Sequence, residues 1–232
     1  MVWYFERACT IAANGIPSLP SLSLALSTRW LYPESGWVSS SRRCCDPWSH
    51  RYSVTGASSG FGRTMTELAL SKGDKVLATL RNPSELADLQ ATYPADQLHV
   101  CRLDVTAPDE IPRAFQEAKA AFGRVDVVFN NAGTALKSEA EGTPPAAARA
   151  LFEVNFWGAV NVSTEAVRFF REENEPCGGL LLNNSSYLGV VPLSSGAFYS
   201  AAKHGMLRWY VLWLLGAHYG GSIGRVYRVA RW

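Results

Sequence analysis

Two groups of residues stand out for the chemistry they could do. The stretch "VTGASSGFGR", Val54 to Arg63, places Gly56, Gly60 and Gly62 directly after a short β-like run and ahead of the helix-forming "TMTELALSKG". A strand, a glycine loop and a helix in that order aim free backbone N–H groups and a positive helix end at an anion. Glycine is needed where such a chain turns tightly and where a phosphate oxygen approaches with no Cβ in the way. Ser58, Ser59 and Phe61 fill out the loop. The plain alternative is a flexible strand-to-helix turn. The second group is "AFYSAAKHG", in which Tyr199 and Lys203, four residues apart, share one face of a helix. A core tyrosine beside a surface lysine would read the same way. What sets the pair apart is Ser186, thirteen residues earlier in "NNSSYLG" at the end of an apolar run.

Positioning these residues falls to a regular middle zone. From about Arg51 to Gly205, short apolar runs ("YSVT", "KVLATL", "LHVCRLDV", "VDVVFNNAG", "GLLLNNSS") alternate with helical stretches. The helical stretches are "FGRTMTELALSK", "PSELADLQATY", "APDEIPRAFQEAKAAFG", "PPAAARALFEVNFWGAVNVSTEAVRFFREE" and "AFYSAAKHGMLRWYVLWLLGAH". This alternation predicts an α/β fold, a doubly wound parallel sheet with helices on both faces and right-handed crossovers. Ligands of such sheets bind at the carboxyl ends of the strands, where Ser186 and the helix of Tyr199 would meet. Thr106 in "TAPDE" reads as a helix cap, with Asp109 and Glu110 in the first turn. The second strand ends "ATLRN", with apolar Leu80 where an acid would bond a ribose 2′-hydroxyl and Arg81 where a cation would accept a 2′-phosphate. That pattern favours NADP over NAD.

Composition bounds the rest. With 232 residues, 47% hydrophobic and 18% charged, the chain supports one good-sized core. A net charge of +2 with no basic run argues against nucleic acid as a partner. Five cysteines without a Cys-x-x-Cys pair, and four scattered histidines, support neither a metal site nor a disulfide framework, so reduced thiols in the cytoplasm are expected. No apolar run reaches the roughly 18 residues of a membrane span. Residues 1–50, rich in Ser and Pro with four tryptophans, read as a poorly ordered extension of a 51–232 domain.

Taken in order, "TGASSGFG", "LDVT" with Asp104, "NNAG" from Asn130 to Gly133, "FEVNFWG" with Asn155, Ser186 and "YSAAK" resemble the short-chain dehydrogenases/reductases. The resemblance covers about Arg51 to Lys203 and implies a Rossmann-like fold with the glycines as a pyrophosphate cradle. It further implies an enzyme interconverting an alcohol and a carbonyl of a small molecule. Tyr199 would be the general acid/base, since a free phenol ionises only near pH 10 and the Lys203 ammonium would stabilise its phenolate. Lys203 would also bond the nicotinamide ribose, Asn155 would hold a water in the proton relay, and Ser186 would orient the substrate oxygen. Asp104 would sit by the adenine, and Asn131 with Gly133 by the adenosine ribose.

Three departures from the family pattern stand beside this. Ser53 falls where the first strand buries an apolar side chain, and an unpaired hydroxyl there would cost roughly 1–3 kcal/mol. Asn184 precedes the serine pair where an apolar or β-branched residue is usual, and needs a partner. After Lys203 the helix loses its polar face; "SIGRVYRVARW" could form the next parallel strand, ending near Ala230, and the segments that would form the substrate lid and a last strand do not follow. Two readings therefore stand: an NADP-dependent oxidoreductase, or a catalytically impaired, cofactor-binding remnant of one. The apolar last helix would suit a homodimer interface.

Overall fold

The computed structural model describes residues 49–192, 194–219 and 227–231. The expected extension at residues 1–50 lies almost wholly outside these, as do Cys9, Cys44 and Cys45. Six strands form one sheet in the order β3-β2-β1-β4-β5-β6, every pair parallel: β1 Arg51–Thr55, β2 Lys75–Leu80, β3 Leu98–Arg102, β4 Val127–Asn130, β5 Gly179–Asn183 and β6 Tyr227–Arg231. The order reverses between β1 and β4, which opens a crevice at their carboxyl ends. The expected doubly wound parallel sheet is thus present, including the strand foreseen near Ala230.

β2, β4 and β5 read as near-continuous apolar runs because both sheet faces are covered. Val76, Leu77 and Ala78 are all fully buried. The helices are α1 Gly60–Ser71, α2 Ala87–Thr92, α3 Glu110–Phe122, α4 Pro145–Phe152, α5 Ala159–Glu172 and α6 Ala197–Tyr219. In α3 the buried residues Ile111, Ala114, Phe115, Ala118 and Phe122 recur at helical spacing, which turns one stripe to the sheet. Phe115 meets Phe169 of α5 with ring centroids 5.4 Å apart, joining both helices to Leu77, Val128 and Leu181 of the sheet. None of the described helices is long and apolar enough to cross a membrane.

Two local readings are corrected and one is refined. The helical stretch "PPAAARALFEVNFWGAVNVSTEAVRFFREE" runs on from Pro145 to Glu172, with a π-helical turn at Glu153–Gly158 between α4 and α5. The stretch "PSELADLQATY" opens as a 3₁₀ turn, Pro83–Leu86, before α2 begins. Thr106 does not cap α3, which starts at Glu110 after Asp109; its hydroxyl and backbone N–H both go to Asp104 Oδ1 instead. A short side chain two residues past an Asp satisfies that nearby carboxylate more readily than a helix end further on. Ser53 is buried between Leu77 and Val128 on the neighbouring strands.

Candidate active site

All the strands run the same way, so the loops that follow β1 to β5 gather at one edge of the sheet. The first is the glycine loop. Gly56 and Gly60 have φ of +65° and +55°, the left-handed region that penalises a side chain. A Cβ on Gly62 would lie 2.2 Å from the carbonyl oxygen of Gly56, so only glycine lets α1 pack this closely on the loop. A Cβ on Gly60 would meet nothing within 4 Å, which leaves the outer side of the turn open. Ser59 enters α1 with extended backbone and makes no side-chain cap, and the first turn of α1 holds no acid. Its N–H groups and positive helix end therefore face outward unspent. Ser58 is half-buried, while Ser59 and Phe61 are exposed. The donors present fit a pyrophosphate.

The "NNAG" loop after β4 is bolted to this loop by Thr55. The buried Thr55 hydroxyl accepts the N–H groups of Asn131 at 2.8 Å and Ala132 at 2.9 Å. Asn131 Nδ2 donates to the carbonyl oxygen of Thr55 at 3.0 Å. Gly133 lies where Asn155 and Lys203 converge: a Cβ there would be 3.0 Å from Asn155 Oδ1 and 3.7 Å from Lys203 Nζ.

Further out along the edge, Arg81 is exposed directly after β2, and Asp104 is half-buried after β3. Hydrogen bonds from the backbone and side chain of Thr106 hold the Asp104 carboxyl below its usual range, with Arg81 and Arg102 adding a smaller electrostatic pull. Asp104 N–H donates to Glu110 at 2.8 Å, and Glu110 is itself paired with Arg102.

On the other side stand Asn155, Ser186, Tyr199 and Lys203. Asn155, fully buried in the π-helical turn, spends its carboxamide on Thr134: Oδ1 accepts the Thr134 N–H at 2.9 Å and Nδ2 donates to the Thr134 carbonyl at 2.6 Å. Ser186 opens a 3₁₀ turn, Tyr187–Gly189, its Oγ accepting the Leu188 N–H at 3.2 Å. Ser200 Oγ donates to the Leu188 carbonyl at 2.8 Å, which draws the helix of Tyr199 to the turn of Ser186. Lys203 is only 5% exposed; its Nζ lies 6.0 Å from the centroid of the Tyr199 ring and donates to the Asn184 carbonyl at 3.0 Å. Burial pushes the Lys203 ammonium down to about 8.

A glycine cradle and a Ser, Tyr and Lys set on one edge of a parallel sheet can be compared with known proteins. The family model for short chain dehydrogenases matches residues 52–212. The chain belongs to that family. A relative named oxidoreductase calM, from Penicillium decumbens, is 36% identical over 160 residues, 67% of this chain and 52% of the relative. The NADPH-dependent 1-acyldihydroxyacetone phosphate reductase of Saccharomyces cerevisiae is 32% identical over 65% of this chain and 50% of its own length. The crystal structure of a short-chain dehydrogenase from Streptomyces avermitilis matches with a TM-score of 0.70 at 32% identity, covering 80% of this chain and 65% of that one. The chain spans about half the length of these two curated relatives.

The structure adds residues that reading the sequence missed. Thr55 is one. Asn130 and Asn183 are others: they are partners across β4 and β5, and Asn130 Nδ2 donates to Asn183 Oδ1 at 2.8 Å, to the Ala159 carbonyl at 2.8 Å and towards Ser163 Oγ at 3.1 Å. The signal was present as an Asn-Asn pair at each strand end, but its meaning depends on register. Asn184, expected to need a partner, has one: its Nδ2 donates to Asn131 Oδ1 at 2.9 Å.

Proposed function

We propose that this dehydrogenase interconverts an alcohol and a carbonyl with NADP(H), with Tyr199 as the general acid/base. The carrying observation is the buried Lys203 ammonium held 6.0 Å from the Tyr199 ring, on the helix that Ser200 ties to the turn of Ser186. A nicotinamide cofactor bound at this edge supplies or accepts the hydride. Tyr199 exchanges the proton at the substrate oxygen, and Lys203 stabilises its phenolate. Ser186 orients that oxygen and stabilises charge developing on it. The N–H groups of Gly56, Ser58, Ser59, Gly60, Phe61 and Gly62 hold the pyrophosphate, while that of Ala57 is kept by the Thr79 carbonyl. Asp104 borders the adenine, Asn131 and Gly133 the adenosine ribose, and Lys203 the nicotinamide ribose. Asn155 keeps Thr134, and with it the loop of Gly133, in place; the relay water is assigned to its turn.

Support for NADP comes from Arg81, exposed at the end of β2 after the buried Leu80, and from the cofactor named for the yeast relative. Arg63 and Arg102, the neighbouring arginines, are already paired, Arg63 with Glu67 and Asp88 and Arg102 with Glu110. A second reading keeps the cofactor cradle and drops the chemistry: a cofactor-binding chain without efficient turnover. Thermal unfolding with and without NADPH or NADH separates the readings. A ligand at a hundred times its Kd adds about 2.7 kcal/mol. The expected result is a larger upward shift with NADPH than with NADH, reversed in order by Arg81→Glu. No shift with either cofactor would remove both readings; a shift without carbonyl reduction by the chain would select the second. A homodimer through α6, where Leu212 is 67% exposed, is proposed as well and is read by sedimentation.

A further inference from the structure

Asn184 stands one residue past β5, and its three polar groups point to three different parts of the site. Its N–H donates to the Asn130 carbonyl at 3.0 Å and so extends the β4–β5 ladder by one rung. Its carbonyl accepts Lys203 Nζ at 3.0 Å. Its side-chain Nδ2 donates to Asn131 Oδ1 at 2.9 Å. Asn131 in turn donates Nδ2 to the Thr55 carbonyl at 3.0 Å and towards the Gly56 carbonyl at 3.4 Å. That nitrogen would lie 2.7 Å from a Cβ on Gly62 and 3.4 Å from one on Gly56, so the Asn131 carboxamide is wedged beneath the glycine loop as its floor.

We propose that Asn184 is a positioning residue for the cofactor cradle, acting through Asn131, while its own carbonyl anchors Lys203. This rests on the functional reading above. A carboxamide presents two donors at one end and an acceptor at the other. The Asn184 donor meets Asn131 Oδ1, which leaves Asn131 Nδ2 for the two carbonyls of the glycine loop. One residue then carries both the anchor of the ammonium, through its backbone carbonyl, and the support of the phosphate loop, through its side chain. An apolar or β-branched side chain at position 184 fills the space and leaves Asn131 Oδ1 without this donor. The half-buried Asn131 would then hold the loop less firmly.

The test is a double-mutant cycle on the full chain, with NADPH affinity read by fluorescence titration and unfolding read without ligand. Asn184→Val is expected to bind NADPH about fivefold more weakly, the loss of one hydrogen bond. Its unliganded unfolding midpoint is expected not to fall, because valine suits the end of a β run. In an Asn131→Ala background the same change is expected to have no further effect on affinity. Should Asn184→Val fail to unfold cooperatively, Asn184→Ser, too short to reach Asn131, replaces it in the cycle. Unchanged affinity in the single variant overturns the inference, as does full additivity in the double variant. A wild-type chain that binds neither NADPH nor NADH overturns the functional reading, and the inference with it.

Discussion

Lys203 provides the sharpest quantitative prediction, because its ammonium is buried among groups that compensate it with one carbonyl. Its proton leaves near pH 8 in the folded chain against an ordinary 10.5. The sign follows from proton counting. Below pH 8 both states hold the proton and the full penalty of burying the charge is present. Between about 8 and 10.5 the unfolded chain holds more protons than the folded one, so stability rises with pH. Each unit of separation is worth 1.36 kcal/mol, and the whole window therefore returns about 3 kcal/mol. Lys203→Met keeps the length and apolar stem of the side chain and removes the titration. Other groups also titrate here; the Cys101 thiol, pushed up to about 12 chiefly by burial, works in the opposite direction. Comparing wild type with Lys203→Met, both carrying Tyr199→Phe so that the neighbouring phenol does not titrate, cancels the contributions of groups that Lys203 does not touch. Urea unfolding of both proteins from neutral pH to about 10.5 is the assay. The expected result is a difference that shifts by about 3 kcal/mol in favour of wild type as pH rises. A difference that stays level across the window would show that the ammonium is solvated in the folded chain, and the electrostatic argument for Lys203 beside Tyr199 would fall.

Other substitutions probe the rest of the site. Gly62→Ala puts a Cβ 2.2 Å from the Gly56 carbonyl oxygen, so α1 must move; a loss of about 1–3 kcal/mol and of the NADPH-induced thermal shift is expected, and a retained shift would refute the cradle's dependence on this contact. Thr55→Val keeps the shape but strips the acceptor from the Asn131 and Ala132 N–H groups, an expected loss of roughly 2–4 kcal/mol in urea unfolding that Thr55→Ser avoids. In the native chain a thiol reagent followed by mass spectrometry is expected to mark exposed Cys177 and to reach buried Cys101 only on unfolding; rapid native labelling of Cys101 would contradict its burial.

What could be read without coordinates was whatever is written in local spacing. The strands β1 to β5 are legible because a parallel sheet covered on both faces favours short apolar and β-branched runs. The glycine loop is legible because Gly56 and Gly60 answer a backbone demand that few other residues meet. Tyr199 and Lys203 share a helix face by arithmetic alone. Where the π-helical turn falls could not be read, since "EVNFWG" satisfies an ordinary helical pattern equally well.

The remainder was decided by contacts between residues far apart in the chain. Asn130 and Asn183 are separated by 53 positions, and only the β4–β5 register makes them partners. Thr55 looks like the last residue of a strand until the loop after β4 places two N–H groups on its hydroxyl. Asn184 read as a fault in an apolar run, and Asn131 from the neighbouring strand's loop turns it into a link. The sequence by itself determined the elements and the chemistry they carry, because hydrophobic period and glycine placement act within a few residues. The tertiary structure decided how buried polar groups are satisfied and how far Lys203 is desolvated, because both depend on neighbours that the chain supplies only once the sheet is assembled.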